Sequence, residues 1–240
     1  MPTPLHIAII PDGNRRWAKQ HGMLPWKGHE KSAENFESLV EWARKNPRIS
    51  TFTLWAFSTE NWKRDSAEVQ ALMQLFSKYL TSKRESFMEN DIRFTHTGRR
   101  DRLSSALKKL IEDIQAQTNA NTALTLNIAL DYGGRDEVVR AIDRIHGSRR
   151  FKPPATTGTK PPVTTEIDEA TIRAHLDHPE IPDMDLIIRT SGEMRTSNFA
   201  LWQSTYAEWM FVDTYFPDFG TDDLEKAIEQ YDGRKRRFGK

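Results

Sequence analysis

Six short runs rich in apolar or β-branched residues punctuate the chain: Leu5–Ile10, Thr51–Phe57, Ile92–Thr97, Ala123–Leu130, Asp185–Ile188 and Trp209–Val212. Each is the length of a buried strand and too short for a helix of ordinary size. Between them, apolar residues recur every three or four positions across about 29–45, 66–89, 101–117, 134–146, 167–177 and 221–237, the period of a helix with one buried face. Strand-length runs alternating with helical stretches predict an α/β fold, in which a mainly parallel open sheet of about six strands is covered by helices on both faces. Within 66–89, Val69, Leu72, Met73, Phe76, Tyr79 and Leu80 share one face. That stripe reads first as core, and periodicity does not separate core from the wall of a lipid-binding cavity.

The segment 147–165 breaks the pattern. Pro153, Pro154, Pro161 and Pro162 with several Thr and Gly sustain neither a helix nor a central strand, so a surface loop is expected there. No linker divides the remainder, and 240 residues suffice for one large domain, 1–240. Lys+Arg at 35 against Asp+Glu at 34 leaves a net charge of +1, which gives no general attraction to nucleic acid. Any anion site must therefore be local. The absence of cysteine excludes thiolate metal sites and a cysteine nucleophile. Neither a signal-peptide pattern nor a membrane-length apolar run is present, and a cytoplasmic protein is expected.

In an open α/β sheet, ligands bind beyond the carboxyl ends of the strands, and three of those ends are unusually polar. After Ile10 come Pro11, Asp12, Gly13, Asn14, Arg15, Arg16 and Trp17; after Phe57 come Ser58, Thr59, Glu60, Asn61, Trp62, Lys63 and Arg64. After Ile188, the stretch from Arg189 to Asn198 carries Arg189, Arg195, Gly192 and several hydroxyl side chains. Glycine permits close backbone approach, while backbone N–H and guanidinium groups hold phosphate oxygens. Asp12 has the chemistry to hold Mg²⁺, which often takes one or two carboxylates plus substrate phosphates. A capped turn with solvated arginines accounts for the first segment equally well, but three such strand ends favour a crevice for a phosphate-bearing ligand.

Other motifs fail. No Walker loop and no Gly-x-Gly-x-x-Gly follows the first strand, and His29-Glu30 does not continue into a zinc-protease motif. His175 and His178 lack a nearby third ligand and read as ordinary histidines. Asp222-Asp223 reads as a helix start, where acidic residues oppose the dipole.

Taken together, His6 to Ala18, Gly28-His29, Leu54 to Arg64, Leu126 to Ala129, Tyr132 to Arg135, Asp185 to Glu208, Pro217 to Phe219 and Arg236 to Gly239 resemble the cis-prenyltransferase family across nearly the whole chain. The resemblance implies condensation of isopentenyl diphosphate with an allylic prenyl diphosphate such as farnesyl diphosphate, giving a Z-polyprenyl diphosphate such as undecaprenyl diphosphate. It assigns catalytic roles to Asp12 and Asn61, with Asp12 and Glu208 at the metal, Mg²⁺. Gly13, Asn14, Arg15, Arg16, Trp17 and His29 would bind the allylic substrate. Ser58, Thr59, Glu60, Trp62 and Arg64 would line the reaction centre, and Arg189, Arg195, Thr196 and Ser197 would hold the second diphosphate. Arg237 and Gly239 would reach across a homodimer, and peripheral membrane contact would come through the lipid product. By the same resemblance, helix 66–89 lines a tunnel for the growing tail. Short-chain or irregular prenyl synthases and noncatalytic partner subunits share the fold and are the competing readings. Pro25, Ser32 and Met194 depart from the family pattern.

Overall fold

The computed structural model describes residues 4–147 and 167–234, so the expected loop at 147–165 and the C-terminal Arg237 and Gly239 lie outside the described residues except for Gly147. Six strands, β1 (Leu5–Ile10), β2 (Ile49–Ser58), β3 (Ile92–Thr97), β4 (Leu124–Tyr132), β5 (Leu186–Arg189) and β6 (Glu208–Phe211), form one sheet in the order β3-β4-β2-β1-β5-β6. Every pairing is parallel. All six residues of β1 are buried, as a central strand covered on both faces requires. Its one polar member, His6, is satisfied internally, with Nε2 2.7 Å from Thr53 Oγ1 and Nδ1 2.8 Å from the Pro182 carbonyl.

The helices are α1 (Asn14–Gln20), α2 (Pro25–Lys45), α3 (Ser66–Glu89), α4 (Ser105–Thr118), α5 (Gly134–Gly147), α6 (Glu169–Ala174) and α7 (Thr221–Gly233). The larger core packs α2, α3, α4 and α7 on one sheet face, through residues such as Phe36, Leu39, Phe52, Phe94, Ile111 and Leu224. A smaller core around Ile10, Tyr132, Ile187 and Phe199 covers the other. The cores confirm the expected α/β class and differ from the sequence reading mainly at helix ends. Helix α2 begins four residues earlier than expected because Pro25 occupies its first turn, where a missing N–H costs nothing. Ser104 caps α4 by accepting from Leu107 N–H at 3.2 Å, so that helix starts at 105 instead of 101. Helix α6 shrinks to six residues behind the Asp168 cap.

Helix α1 is additional to the six helical stretches read from the periodicity. It crosses α2 at Gly28, where a built Cβ would stand 2.0 Å from the Asn14 carbonyl oxygen. Only glycine allows that approach.

Candidate active site

Strands β2, β1 and β5 are neighbours, and the chain runs from β1 to β2 on one side but reaches the other side of β1 only at β5, a switch in strand order that places a crevice at their carboxyl ends. This topology brings the three polar segments together. Gly13 makes the turn out of β1 with φ of +95°, and a Cβ there would meet the Tyr215 ring at 2.5 Å. The turn aims Asp12 at β5, where its Oδ2 accepts from Arg189 Nη2 at 2.8 Å while Oδ1 accepts from Gly13 N–H at 2.7 Å. Thr190 Oγ1 accepts from Asp12 N–H and donates to its carbonyl, both at 2.8 Å, pinning the residue from both sides. Burial opposes ionisation of Asp12, but the bonds from Arg189 and Gly13 and the charges of Arg189 and Arg16 outweigh it and hold the carboxyl below its ordinary value.

Arg189 is itself nearly buried and donates through Nη1 to the Arg195 carbonyl at 2.5 Å and to Ser197 Oγ at 2.7 Å. Its Nε is buried without a partner. Arg16 donates to Ser191 Oγ at 2.6 Å, pairs with Glu193 at 3.1 Å and lies 5.4 Å over the Tyr215 ring. Glu193 also pairs with Arg195, so one carboxylate fixes the two arginines of separate segments. Ser191, Glu193 and Tyr215 were not singled out in the sequence. Their roles depend on a contact between distant loops that no local pattern records.

On the other wall, His29 has a buried Nε2 with no hydrogen-bond partner. Burial, with the Arg64 and Arg15 charges nearby, pushes its pKa down to about 4, so the ring is neutral at physiological pH. Arg64 is steadied by Glu68 at 3.1 Å. Asn61 sits in a 3₁₀ turn, Thr59–Lys63, and its Oδ1 accepts from Ser58 N–H at 3.1 Å. That carbonyl therefore shapes the turn. Ser32, one of the departures from the family pattern, is buried with its hydroxyl within hydrogen-bond reach of Asn14 Oδ1 and of the Gly28 carbonyl, tying α1 to α2 under the crevice.

The crevice opens directly into a cavity of about 710 Å³. Its polar end holds Asp12, Gly13, Asn14, Arg15, Arg16, His29, Ser58, Glu60, Asn61, Arg64, Arg189 and Ser197. Its deep end is apolar, walled by Phe36, Leu54, Ala56, Leu72, Leu75, Phe76, Tyr79, Phe94, Ile111, Ile128 and Leu130. The stripe on α3 thus divides between two jobs: Leu72, Phe76, Tyr79 and Leu80 face the cavity, whereas Val69 and Met73 serve only the core.

Several predicted site residues fall elsewhere. Trp17 is buried and stacks on His21 with 4.0 Å between ring centroids, because the helical turn carries it away from the crevice toward the packed side of α1. Thr59, Trp62, Arg195 and Thr196 border the site without lining the cavity. Glu208 begins β6 opposite Leu186, three positions back from the Arg189 level, and pairs with Arg234 at 2.7 Å. One chain does not bring it to Asp12, since the parallel register puts it at the other end of its strand. Met194 is exposed, and His175 and His178 each bond to backbone or to Glu180 without sharing a ligand site. Asp223 accepts from Gly220 N–H at 3.0 Å, as a helix start should.

Among the described residues no group of three His, Cys, Asp or Glu side chains is placed to hold a metal. A single carboxylate facing a phosphate-sized crevice does fit magnesium, which takes its remaining ligands from water and substrate oxygens. Also among the described residues, no helix is long and apolar enough to cross a membrane.

Residues 10–239 match the family model described as "Putative undecaprenyl diphosphate synthase". The chain belongs to the undecaprenyl diphosphate synthase family of prenyltransferases. An isoprenyl transferase of Aquifex aeolicus is 43% identical over 100% of this chain and 97% of its own length. A tritrans,polycis-undecaprenyl-diphosphate synthase (geranylgeranyl-diphosphate specific) of Thermococcus kodakarensis is 41% identical over 99% of this chain and 87% of its own. Among solved structures, lavandulyl diphosphate synthase from Lavandula x intermedia in complex with dimethylallyl diphosphate superposes with a TM-score of 0.87, at 35% identity over 99% of both chains. A probable undecaprenyl diphosphate synthase from Campylobacter jejuni gives 0.80, at 31% identity over 100% of both. This prenyltransferase is accordingly a transferase enzyme with the fold of those relatives.

Proposed function

We propose that this prenyltransferase condenses isopentenyl diphosphate with an allylic prenyl diphosphate, farnesyl diphosphate being the expected starter, to give a Z-polyprenyl diphosphate such as undecaprenyl diphosphate. The observation that carries this reading is the continuity of one cavity, cationic at the strand ends and apolar beneath α3. Such a cavity matches an amphiphile with a diphosphate head and a hydrocarbon tail, and about 710 Å³ is ordinary for a site that encloses one small organic ligand.

In the reaction the allylic C–O bond breaks, a C–C bond forms to the terminal carbon of isopentenyl diphosphate, and a proton leaves the adjacent position to create a cis double bond. Diphosphate departs with the electron pair of the broken bond. Arg15, Arg16, His29, Gly13 and Asn14 would surround the departing group, where preorganised donors stabilise the charge as it develops. Asp12 would hold Mg²⁺, which when bound neutralises charge on the leaving oxygens. Arg189, Arg195 and Ser197 would fix the second diphosphate, and Asn61, with its carbonyl engaged by Ser58, would orient the proton toward an acceptor such as a phosphate oxygen.

A short-chain or irregular synthase is the second reading, favoured by the likeness to lavandulyl diphosphate synthase. Retention of Asp12 and the crevice arginines speaks against a noncatalytic subunit. The homodimer with Arg237 and Gly239 reaching the neighbouring site, the cytoplasmic location and peripheral membrane contact through the product belong to the same proposal. To test it, purified protein is incubated with isopentenyl diphosphate and a panel of allylic starters, with and without Mg²⁺, and products are sized by mass spectrometry. Magnesium-dependent elongation is expected, long products separate the first reading from the second, and no condensation with any starter defeats both.

A further inference from the structure

The turn that carries Asn61 is held from outside the crevice. None of its five residues is buried, and a short 3₁₀ segment has little stability of its own. Its one large apolar side chain is Trp62, which packs edge-on against Phe57 with 5.3 Å between ring centroids and 76° between planes. The opposite partner is Arg102, in the loop before α4, whose guanidinium carbon lies 5.5 Å from the indole centroid, within cation–π range. Arg102 is not free to wander. Its Nε donates to Asp131 Oδ2 at 2.9 Å and its Nη2 to Oδ1, and Asp131 is fully buried near the end of β4, with φ of +54°. A buried carboxylate demands a fixed counter-charge, and the planar fork that supplies it has its own orientation set in return.

We infer that Arg102 is a positioning residue for prenyl transfer: oriented by Asp131, it holds Trp62 and so keeps the Thr59–Lys63 turn, with Asn61, in register with Asp12 and Arg189. The inference rests on the prenyl-transfer reading above. Lysine at 102 would keep a charge beside Asp131 but lose the planar contact and the fork. A neutral pair, Arg102→Gln with Asp131→Asn, removes both charges and leaves no buried ion unpaired.

The test is a double-mutant cycle with Trp62→Leu, read as kcat and KM for isopentenyl diphosphate and starter, alongside the indole N–H signal of Trp62 in ¹⁵N-labelled protein. Arg102→Lys is expected to lower kcat by roughly tenfold, with little change in KM, and to move the Trp62 signal. In the Trp62→Leu background the same substitution should have no further effect on kcat. If Arg102→Lys fails to fold, the neutral pair takes its place in the cycle with the same expectation. Equal factors in the two backgrounds, an unmoved indole signal, or a loss of thermal stability with kcat intact would each overturn the inference. A wild-type protein with no condensation activity refutes the underlying reading and removes this one with it, whereas an active wild type with an additive cycle removes only the role of Arg102.

Discussion

The state of His29 makes a sharp prediction about ligand binding. In the free protein its Nε2 is buried without a partner and its pKa lies at about 4, depressed by burial and by Arg64 and Arg15. A diphosphate entering the crevice supplies both an acceptor and negative charge. One unit charge about 4 Å from the ring, in a partly buried site with an effective dielectric near 20, is worth roughly 4 kcal/mol, or about three pH units. Binding should therefore carry His29 from about 4 toward neutrality. The sign follows: between those values the complex holds a proton that the free protein does not, so affinity for pyrophosphate rises as the pH falls through the window. The unliganded protein behaves oppositely toward acid. Since the folded value is depressed from 6.5 to about 4, the unfolded chain binds the proton first, and stability is lost as pH falls from 6.5 toward 4. Histidine ring signals followed by NMR from pH 4 to 8, with and without saturating pyrophosphate, measure the first effect. Calorimetric affinities for wild type and His29→Gln at each pH isolate it from protonation of the ligand itself. A His29 pKa that stays near 4 in the complex, or an identical pH slope in the variant, would refute the reasoning.

Further expectations concern single side chains. Asp12→Ala should abolish most turnover while leaving the protein folded, because Arg189 keeps its bonds to the Arg195 carbonyl and Ser197; the lost, partly exposed pair should cost about 1–3 kcal/mol by denaturant unfolding, and near-normal turnover at saturating magnesium would contradict the role of Asp12. Gly28→Ala places a methyl 2.0 Å from the Asn14 carbonyl and should destabilise the protein by about 2 kcal/mol or more while displacing α1; a melting temperature equal to wild type would show that the crossing is looser than described. Phe76→Ala enlarges the apolar end of the cavity and should lengthen the longest product by at least one five-carbon addition, with an unchanged product distribution as the contrary result.

Much of this arrangement was legible in the chain. Buried parallel strands read as runs rich in apolar or β-branched residues, so β1 and β3 coincide with the runs read from sequence, and polar residues clustered at the carboxyl ends of β1, β2 and β5 marked the crevice. What the chain concealed were features set by tertiary contact. Whether Leu72 or Val69 faces a cavity depends on where α3 lies over the sheet, not on their shared period. Trp17 follows the Gly-Asn-Arg-Arg segment as if part of it, yet the helix rotates it into the packing beside His21. Glu193 and Arg102 act across loops from different strands, and no spacing in the sequence announces such partners.

The central position of β1 has a consequence for how the enzyme comes into being. Of the six strands this one is synthesised before the others, but one of its two neighbours, β5, lies some 180 residues downstream, and the Asp12–Arg189 bond spans a separation of 177. A nascent chain can zip β1 to β2 early, yet it then carries an apolar sheet edge until β5 has been made, and such long-range parallel pairing is slow. The crevice is thus assembled by the final strand insertions. Diphosphate binding should appear only with the last folding phase, and chains interrupted before β5 should present a sticky strand edge to chaperones in place of a site.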